Sequence, residues 1–332
     1  MESIIPPQIA QSQPLNFTEE KDYERGFATY FDEKIKPTLR ELESFRAQKL
    51  EESKKKKPLA NLILAGGIIL GILVGYVTKK GEVGIALAIM AFFIRTLIIS
   101  APQAKYISEY KNKIIPAILK FFGDFSYKEN DDVPVDLLIQ SKLFDDFNRS
   151  YSEDVISGKY REKQFQFSEI SLTKKINRKH SNTVFMGKLF ILETDRTITG
   201  KIIIKRDAQK GLWNWLASRE HGLKKVIVQN QEFEKGFEVY SNDQNEAMTV
   251  IIPKLMQKLM ILSEKYMASG IIRCSFLENK MIMAISTPNN WTIKDSGLFE
   301  VTSVEGSMLT DIHKFLAQFH EILEILDIIS PA

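Results

Sequence analysis

The hydrophobic rhythm of the chain changes three times. Between Asn16 and Ser53, Phe27, Phe31, Ile35, Leu39, Leu42 and Phe45 recur every three or four positions, the spacing of one apolar helix face. Pro37 interrupts this stripe and predicts a kink or the first turn of a second helix. The rhythm then vanishes into two apolar runs of nineteen residues each, Leu59 to Val77 and Val83 to Ala101. Helical periodicity returns over Gln103 to Phe122 and Pro134 to Phe147. After that the period falls to two: Phe165, Phe167 and Ile170 alternate with polar neighbours in Tyr160 to Leu172, as in a half-buried strand.

More strands are expected downstream. Thr183 to Glu193 and Thr197 to Arg206 read as a hairpin turning at Thr194-Asp195-Arg196. Lys224 to Val228 is a short strand. Ile271 to Leu277 and Lys280 to Ser286 read as a second hairpin about Glu278-Asn279. A capping box at Ser241 to Gln244 starts a helix that begins again at Pro253 and reaches Tyr266. The last helix, Thr310 to Ile328, turns Ile312, Phe315, Leu316, Phe319, Leu323 and Leu326 inward. The expected fold is α+β: an N-terminal helix, a two-helix transmembrane hairpin, then a cytoplasmic domain with a mostly antiparallel sheet and flanking helices. The boundaries expected are a disordered N-terminus at 1–16, an amphipathic cytoplasmic helix at 17–57, the hairpin at 58–102 and the α+β domain at 103–332.

Nineteen helical residues span ~28 Å, close to the ~30 Å hydrocarbon core of a bilayer. The first run holds no charge and the second only Arg95. Thr78 to Glu82 is just long enough to reverse direction between them. Arg40, Arg46, Lys49 and the run Lys54, Lys55, Lys56 and Lys57 precede the first span, and Lys105, Lys111, Lys113 and Lys120 follow the second. These outweigh Lys79 and Lys80 in the turn, so both termini are expected in the cytoplasm. The lysine run sets topology or attracts anionic lipid. Arg95 reaches the cytoplasmic headgroups by snorkelling or lines a polar pathway. Gly67, Gly71 and Gly75 stack on one face of the first span, and Gly84 and Ala88 offer a small face on the second. Those faces serve packing within the hairpin or self-association between protomers.

Charge and composition add little to this. A net charge of +3 gives no electrostatic footprint for nucleic acid, and none is expected as a partner. Cys274 is the single cysteine, so no intrachain disulfide forms, which fits a reducing compartment. It lies mid-strand beside Ile272 and Phe276 and reads as a core thiol. The N-terminus lacks the pattern of a secretory signal peptide.

The chain carries neither a phosphate-binding loop nor a dinucleotide fingerprint nor a serine-hydrolase elbow. No cofactor is expected. The weak catalytic candidates are Asp154, Glu169 and Asp243, with Glu153 beside them; they form a carboxylate site or cap helices and pin turns. His313, His320 and Glu324 share one face of the last helix and form a weak metal candidate, or edge an amphipathic helix. Trp213 and Trp215 form a partner contact or close the sheet's edge.

The order of the motifs FDEKIKPTLRELESFR, YSEDVISGKY, FQFSEI, FMGKLFILE, QEFEKGFEVYSNDQNEAMTVIIPKLMQKLM and IIRCSFLENKMIMAI resembles the bacterial membrane proteins grouped as domain of unknown function 3137. The resemblance covers about residues 20–290 and is most specific from FEVYSNDQ to LM. It implies a multi-pass bacterial inner-membrane protein with its bulk in the cytoplasm, and it carries no catalytic residues. The function expected is a membrane-anchored binding or scaffold protein, with the bilayer and a protein partner or second copy as contacts. The alternatives are a membrane-tethered enzyme with a carboxylate or histidine site, and a secreted effector inserted in a host membrane.

Overall fold

A computed structural model of the chain describes residues 15–177, 180–206, 222–266, 271–286, 299, 301 and 307–329. The N-terminal disorder expected for 1–16 falls, up to residue 14, outside the described residues, as do Trp213 and Trp215. Contacts divide the chain into two units, Met1–Phe121 with Val301–Leu316, and Phe122–Glu300 with Ala317–Ala332. The sequence pattern groups 103–332 together; the contacts instead keep the helix that leaves the second apolar run with the first unit.

In the first unit, helix α1 spans Phe27–Thr78 and helix α2 spans Gly81–Phe122. Pro37 does not end α1. Phe31–Ile35 forms a π-helical turn just before it, and Pro37 sits in the first turn of the α-helical stretch Lys36–Thr78. A proline lacks the donor for a carbonyl four residues back and crowds it with its ring, and a wider turn relieves both. The apolar stripe is covered: Phe27, Phe31, Ile35, Leu39 and Leu42 are all buried. Its partner is the last part of α2. Tyr30 Oη donates to the Ala117 carbonyl at 2.8 Å, and the Phe27 and Phe121 rings meet edge to face at 5.0 Å. Tyr110 of α2 donates to the Met308 carbonyl at 3.1 Å, tying in the start of the last helix.

The second unit is a seven-stranded sheet with antiparallel pairings throughout: β1 (Phe125–Lys128), β2 (Arg149–Tyr160), β3 (Lys163–Lys175), β4 (Ser181–Arg206), β5 (Lys224–Val226), β6 (Phe237–Ser241) and β7 (Ile272–Ser286). Its order is β1-β2-β3-β4-β6-β5, with β7 beside β4. Helices α3 (Val135–Ser141), α4 (Gln231–Gly236), α5 (Gln244–Val250), α6 (Pro253–Lys265) and α7 (Met308–Ile329, of which the part from Ala317 belongs here) complete it. Leu137 and Leu138 of α3 pack with Ile170, Leu172, Leu189, Ile191 and Ile282 on one face. On the opposite face Phe125 meets Phe165 and, at 5.3 Å, Phe319 of α7. The central strands are therefore buried on both sides, which is why FILE in β4 and MIMAI in β7 read as near-continuous apolar runs.

The two expected hairpins are instead one long ribbon. β4 runs through Thr194-Asp195-Arg196 without reversing, β7 runs through Glu278-Asn279, and the two pair from Gly187 opposite Ser286 to Lys205 opposite Arg273. The turn signals are bulges: register slips at Glu193/Ile198 and Ile198/Lys201, and Glu278, opposite Ile198, takes a φ of 54°. An extra residue and a left-handed neighbour bend a ribbon as readily as they close a turn. A true two-residue turn lies at Arg161-Glu162, with φ of 49° and 66°, and joins β2 to β3. The predicted helix over Pro134 to Phe147 stops at Ser141, where Lys142 turns left-handed. The N-cap of α5 is Asp243, not Ser241: its carboxylate accepts the Glu246 amide at 3.0 Å.

Candidate membrane hairpin and polar clusters

Both long helices carry an 18-residue window apolar enough to cross a membrane, and only 11% of each window is buried. Leu62, Ile72, Phe93 and Leu97 are among the large apolar side chains left exposed. A core helix of that composition hides its side chains; within these windows most side chains are left uncovered, and the buried residues include Gly71, Gly84 and Ala91. That seam is built on glycine. A Cβ placed on Gly71 would lie 2.5 Å from the Gly84 carbonyl oxygen, and one on Gly67 would meet the Ala91 methyl. Gly75 faces Gly84 and the turn. The first helix's glycine face is thus occupied by the second helix of the same chain, with Ala91 opposite Gly67 and Gly84 opposite Gly71. Ala88 is half-buried.

At the other end of the hairpin the lone charge meets the lone amide. Arg95 Nε donates to Asn61 Oδ1 at 2.9 Å, a bond between the helices that satisfies both polar side chains at one level. Closer to the lysine run, the buried Ser53 faces the Ile99 carbonyl at 3.4 Å. Lys54, Lys55 and Lys57 are exposed and Lys56 half-exposed. Lys55 pairs with Glu51 and Lys56 with Glu52 at 2.7 Å, both one helical turn away.

His313 and His320 lie in different units. His313 Nδ1 is 2.9 Å from Glu24 Oε1, and Phe17 stacks on the imidazole at 4.3 Å. Glu24 is 1% exposed; its other oxygen accepts the amides of Glu20 and Lys21 at 2.6 and 3.2 Å. Burial alone would raise this carboxyl, but the Glu20 amide, the His313 imidazole and the Lys21 amide together hold it below the usual carboxylate range. His320 Nε2 is 3.5 Å from Glu324, which Lys265 also holds at 2.7 Å. No group of three or more His, Cys, Asp or Glu suited to a metal occurs among the described residues.

Of the carboxylate candidates, Asp154, Glu153 and Glu169 lie on the neighbouring strands β2 and β3, and Asp243 lies elsewhere. Asp154, fully buried with a φ of 52°, sits in the bulge of β2 and accepts the Tyr127 hydroxyl at 2.6 Å. Burial, followed by the Asp154 charge, drives the Tyr127 hydroxyl well above its ordinary pKa. Glu169 of β3 lies between Glu153 of β2 and Lys188 of β4 in the sheet register. Lys188 pairs with Glu321 of α7 at 3.4 Å, and Tyr266 donates to the same Glu321. Asp243 caps α5. Cys274 is buried, and burial pushes its thiol up, away from the thiolate that nucleophilic chemistry requires.

Two features have no local signal in the sequence. Lys205 and Arg273 face each other across β4 and β7. Burial, with the adjacent guanidinium, pulls the Lys205 ammonium down to about 8. An open cavity of about 380 Å³ also lies at the bulged part of the ribbon, between β4, β7, α5, α6 and the end of α7. Strand pairing sixty or more residues apart makes both.

Residues 183–330 match the family model described as "Protein of unknown function (DUF3137)". The match runs from within β4 through α7; the apolar hairpin lies outside it. No curated protein matches the chain. Among solved structures, the crystal structure of the mycobacterial trehalose monomycolate transport factor A, TtfA, aligns over 67% of this chain and 98% of its own, at 12% identity and a TM-score of 0.32. A likeness that distant carries no argument about function.

Proposed function

We propose that the chain is a two-pass membrane protein whose α+β unit, on the cytoplasmic side of a bacterial inner membrane, binds a protein partner or serves as a scaffold. The observation that carries this reading is the exposure of the two apolar helices, whose windows are only 11% buried. In water that surface would be a severe aggregation hazard; in a bilayer it faces its natural solvent. The Arg95–Asn61 bond fits the same reading, since polar side chains in hydrocarbon need partners within the protein. The basic residues before and after the hairpin favour termini in the cytoplasm. A binding role rather than catalysis is supported by the way Asp154, Asp243, His313 and His320 are each held in a separate structural contact.

Proximity labelling from the C-terminus in growing cells tests the binding role. Reproducible enrichment of one cytoplasmic or inner-membrane protein supports it. Enrichment indistinguishable from that of an unrelated two-pass protein refutes it.

A further inference from the structure

We propose that the cavity at the bend of the β4–β7 ribbon binds a single-chain anionic lipid, with the alkyl chain on an apolar floor and the carboxylate or phosphate head on cations at the rim. The floor is made by Ile198 of β4, Phe276 and Met281 of β7 and Ile329 of α7, all buried yet lining the space. The volume, about 380 Å³, is that of a ligand pocket, which runs ~300–1,000 Å³. It lies at the bulges of the ribbon, where Thr194, Asp195, Arg196 and Ile198 line it.

The rim carries Arg196, Lys254 and Lys258. Asp195 also lines the cavity, but its carboxylate is paired with Lys163. Positive charge therefore predominates at the lip. Lys254 and Lys258 lie four apart on α6, so two like charges share one helix face, an arrangement that costs stability in isolation. Lys254 also stands in the first turn of α6, where the helix dipole disfavours a cation. Burial, then the neighbouring Lys254 and Arg161, lowers the Lys258 ammonium against the opposing pull of the Asp327 carboxylate. An anion at the lip eases the first two conditions. A small hydrophilic anion would leave the apolar lining unfilled, and a neutral chain would leave the two lysines side by side. A head and a chain on one molecule satisfy both. Fatty-acid carboxylates and monoacyl phosphates share that chemistry. The inference does not depend on where the hairpin resides.

The test uses the full-length protein in phosphatidylcholine nanodiscs, photolabelled with a diazirine-bearing dodecanoic acid and mapped by peptide mass spectrometry. Label is expected on the peptides holding Ile198, Phe276 and Leu255. Excess dodecanoate or dodecyl phosphate should suppress it, and the stronger of the two identifies the headgroup; dodecanol and inorganic phosphate should not. Lys254→Glu with Lys258→Glu should reduce this labelling about tenfold, while Lys254→Arg with Lys258→Arg retains it. Labelling confined to the apolar hairpin, equal suppression by dodecanol, or suppression by inorganic phosphate alone would each overturn the proposal.

Discussion

Replacing Gly71 by alanine probes the seam of the hairpin at its tightest point. The added methyl would lie 2.5 Å from the Gly84 carbonyl oxygen, whereas ordinary van der Waals contact begins near 3.4 Å. The obstacle is backbone, so no side chain can swing aside, and the helices must part by about 1 Å. Overpacking of this kind costs about 1–3 kcal/mol, and separation also removes dispersion contacts along the rest of the seam. Gly66 supplies the control: a Cβ there meets nothing within 4 Å. Gly66→Ala should therefore be neutral, or stabilising by up to about 1 kcal/mol through helix propensity. The assay is a dodecyl sulfate titration in mixed micelles, read by energy transfer between dyes on cysteines introduced by Leu59→Cys and Leu97→Cys. Both positions are exposed, and the native Cys274 is buried. Gly71→Ala and Gly84→Ala should each shift the separation equilibrium by about five- to 150-fold toward the open form. If both titrate with Gly66→Ala, the close approach of the two helices is not what holds the hairpin together.

Other consequences follow from the polar clusters. The depressed Glu24 carboxyl stabilises the first unit fully above its ordinary value of 4.5, and that stabilisation is lost as pH falls through the lower folded value. Glu24→Gln should flatten the acid limb of a melting-temperature profile; an unchanged limb removes Glu24 from the account. Asp154→Ala should cost about 1–3 kcal/mol in thermal unfolding, because it strands the buried Tyr127 hydroxyl. Asp154→Asn should cost much less, since asparagine tolerates the left-handed backbone and still accepts the hydrogen bond; equal losses would contradict this. Lys205 titrates near 8 in the fold and near 10.5 when unfolded, so the unfolded chain holds the extra proton between those values and stability should rise with pH across that window. Lys205→Met should abolish the rise, and a melting temperature that falls over the window in the wild type would refute the assignment.

What the sequence reveals depends on how far apart the interacting residues are. The two long apolar helices are legible because an apolar run of that length needs no knowledge of a partner. The stripe from Phe27 to Phe45 and the last helix are legible because their period is local. The family resemblance was legible too, through FEVYSNDQ and the strands around it, and the family match covers that stretch. The ribbon of β4 and β7 was not. Thr194-Asp195-Arg196 and Glu278-Asn279 suit a turn or a bulge equally, and only the pairing of strands eighty residues apart decides between them. The same distance explains the histidines. His313 and His320 look alike on a helical wheel, yet His313 meets Glu24 from the other end of the chain. The glycine seam was half legible: the spacing of Gly67, Gly71 and Gly75 marks a face, but only the pairing of the two helices sets Ala91 against Gly67.

The central claim is that Leu59–Val77 and Val83–Ala101 cross a bilayer with both ends on the cytoplasmic side. Cysteines introduced singly by Lys79→Cys in the turn and Lys54→Cys before the first span test it in intact bacterial cells, using a membrane-impermeant maleimide. The account predicts that the turn cysteine is labelled from outside and that Lys54→Cys is labelled only after the membrane is opened. Labelling of Lys54→Cys from outside, or protection of the turn until the membrane is opened, would contradict it.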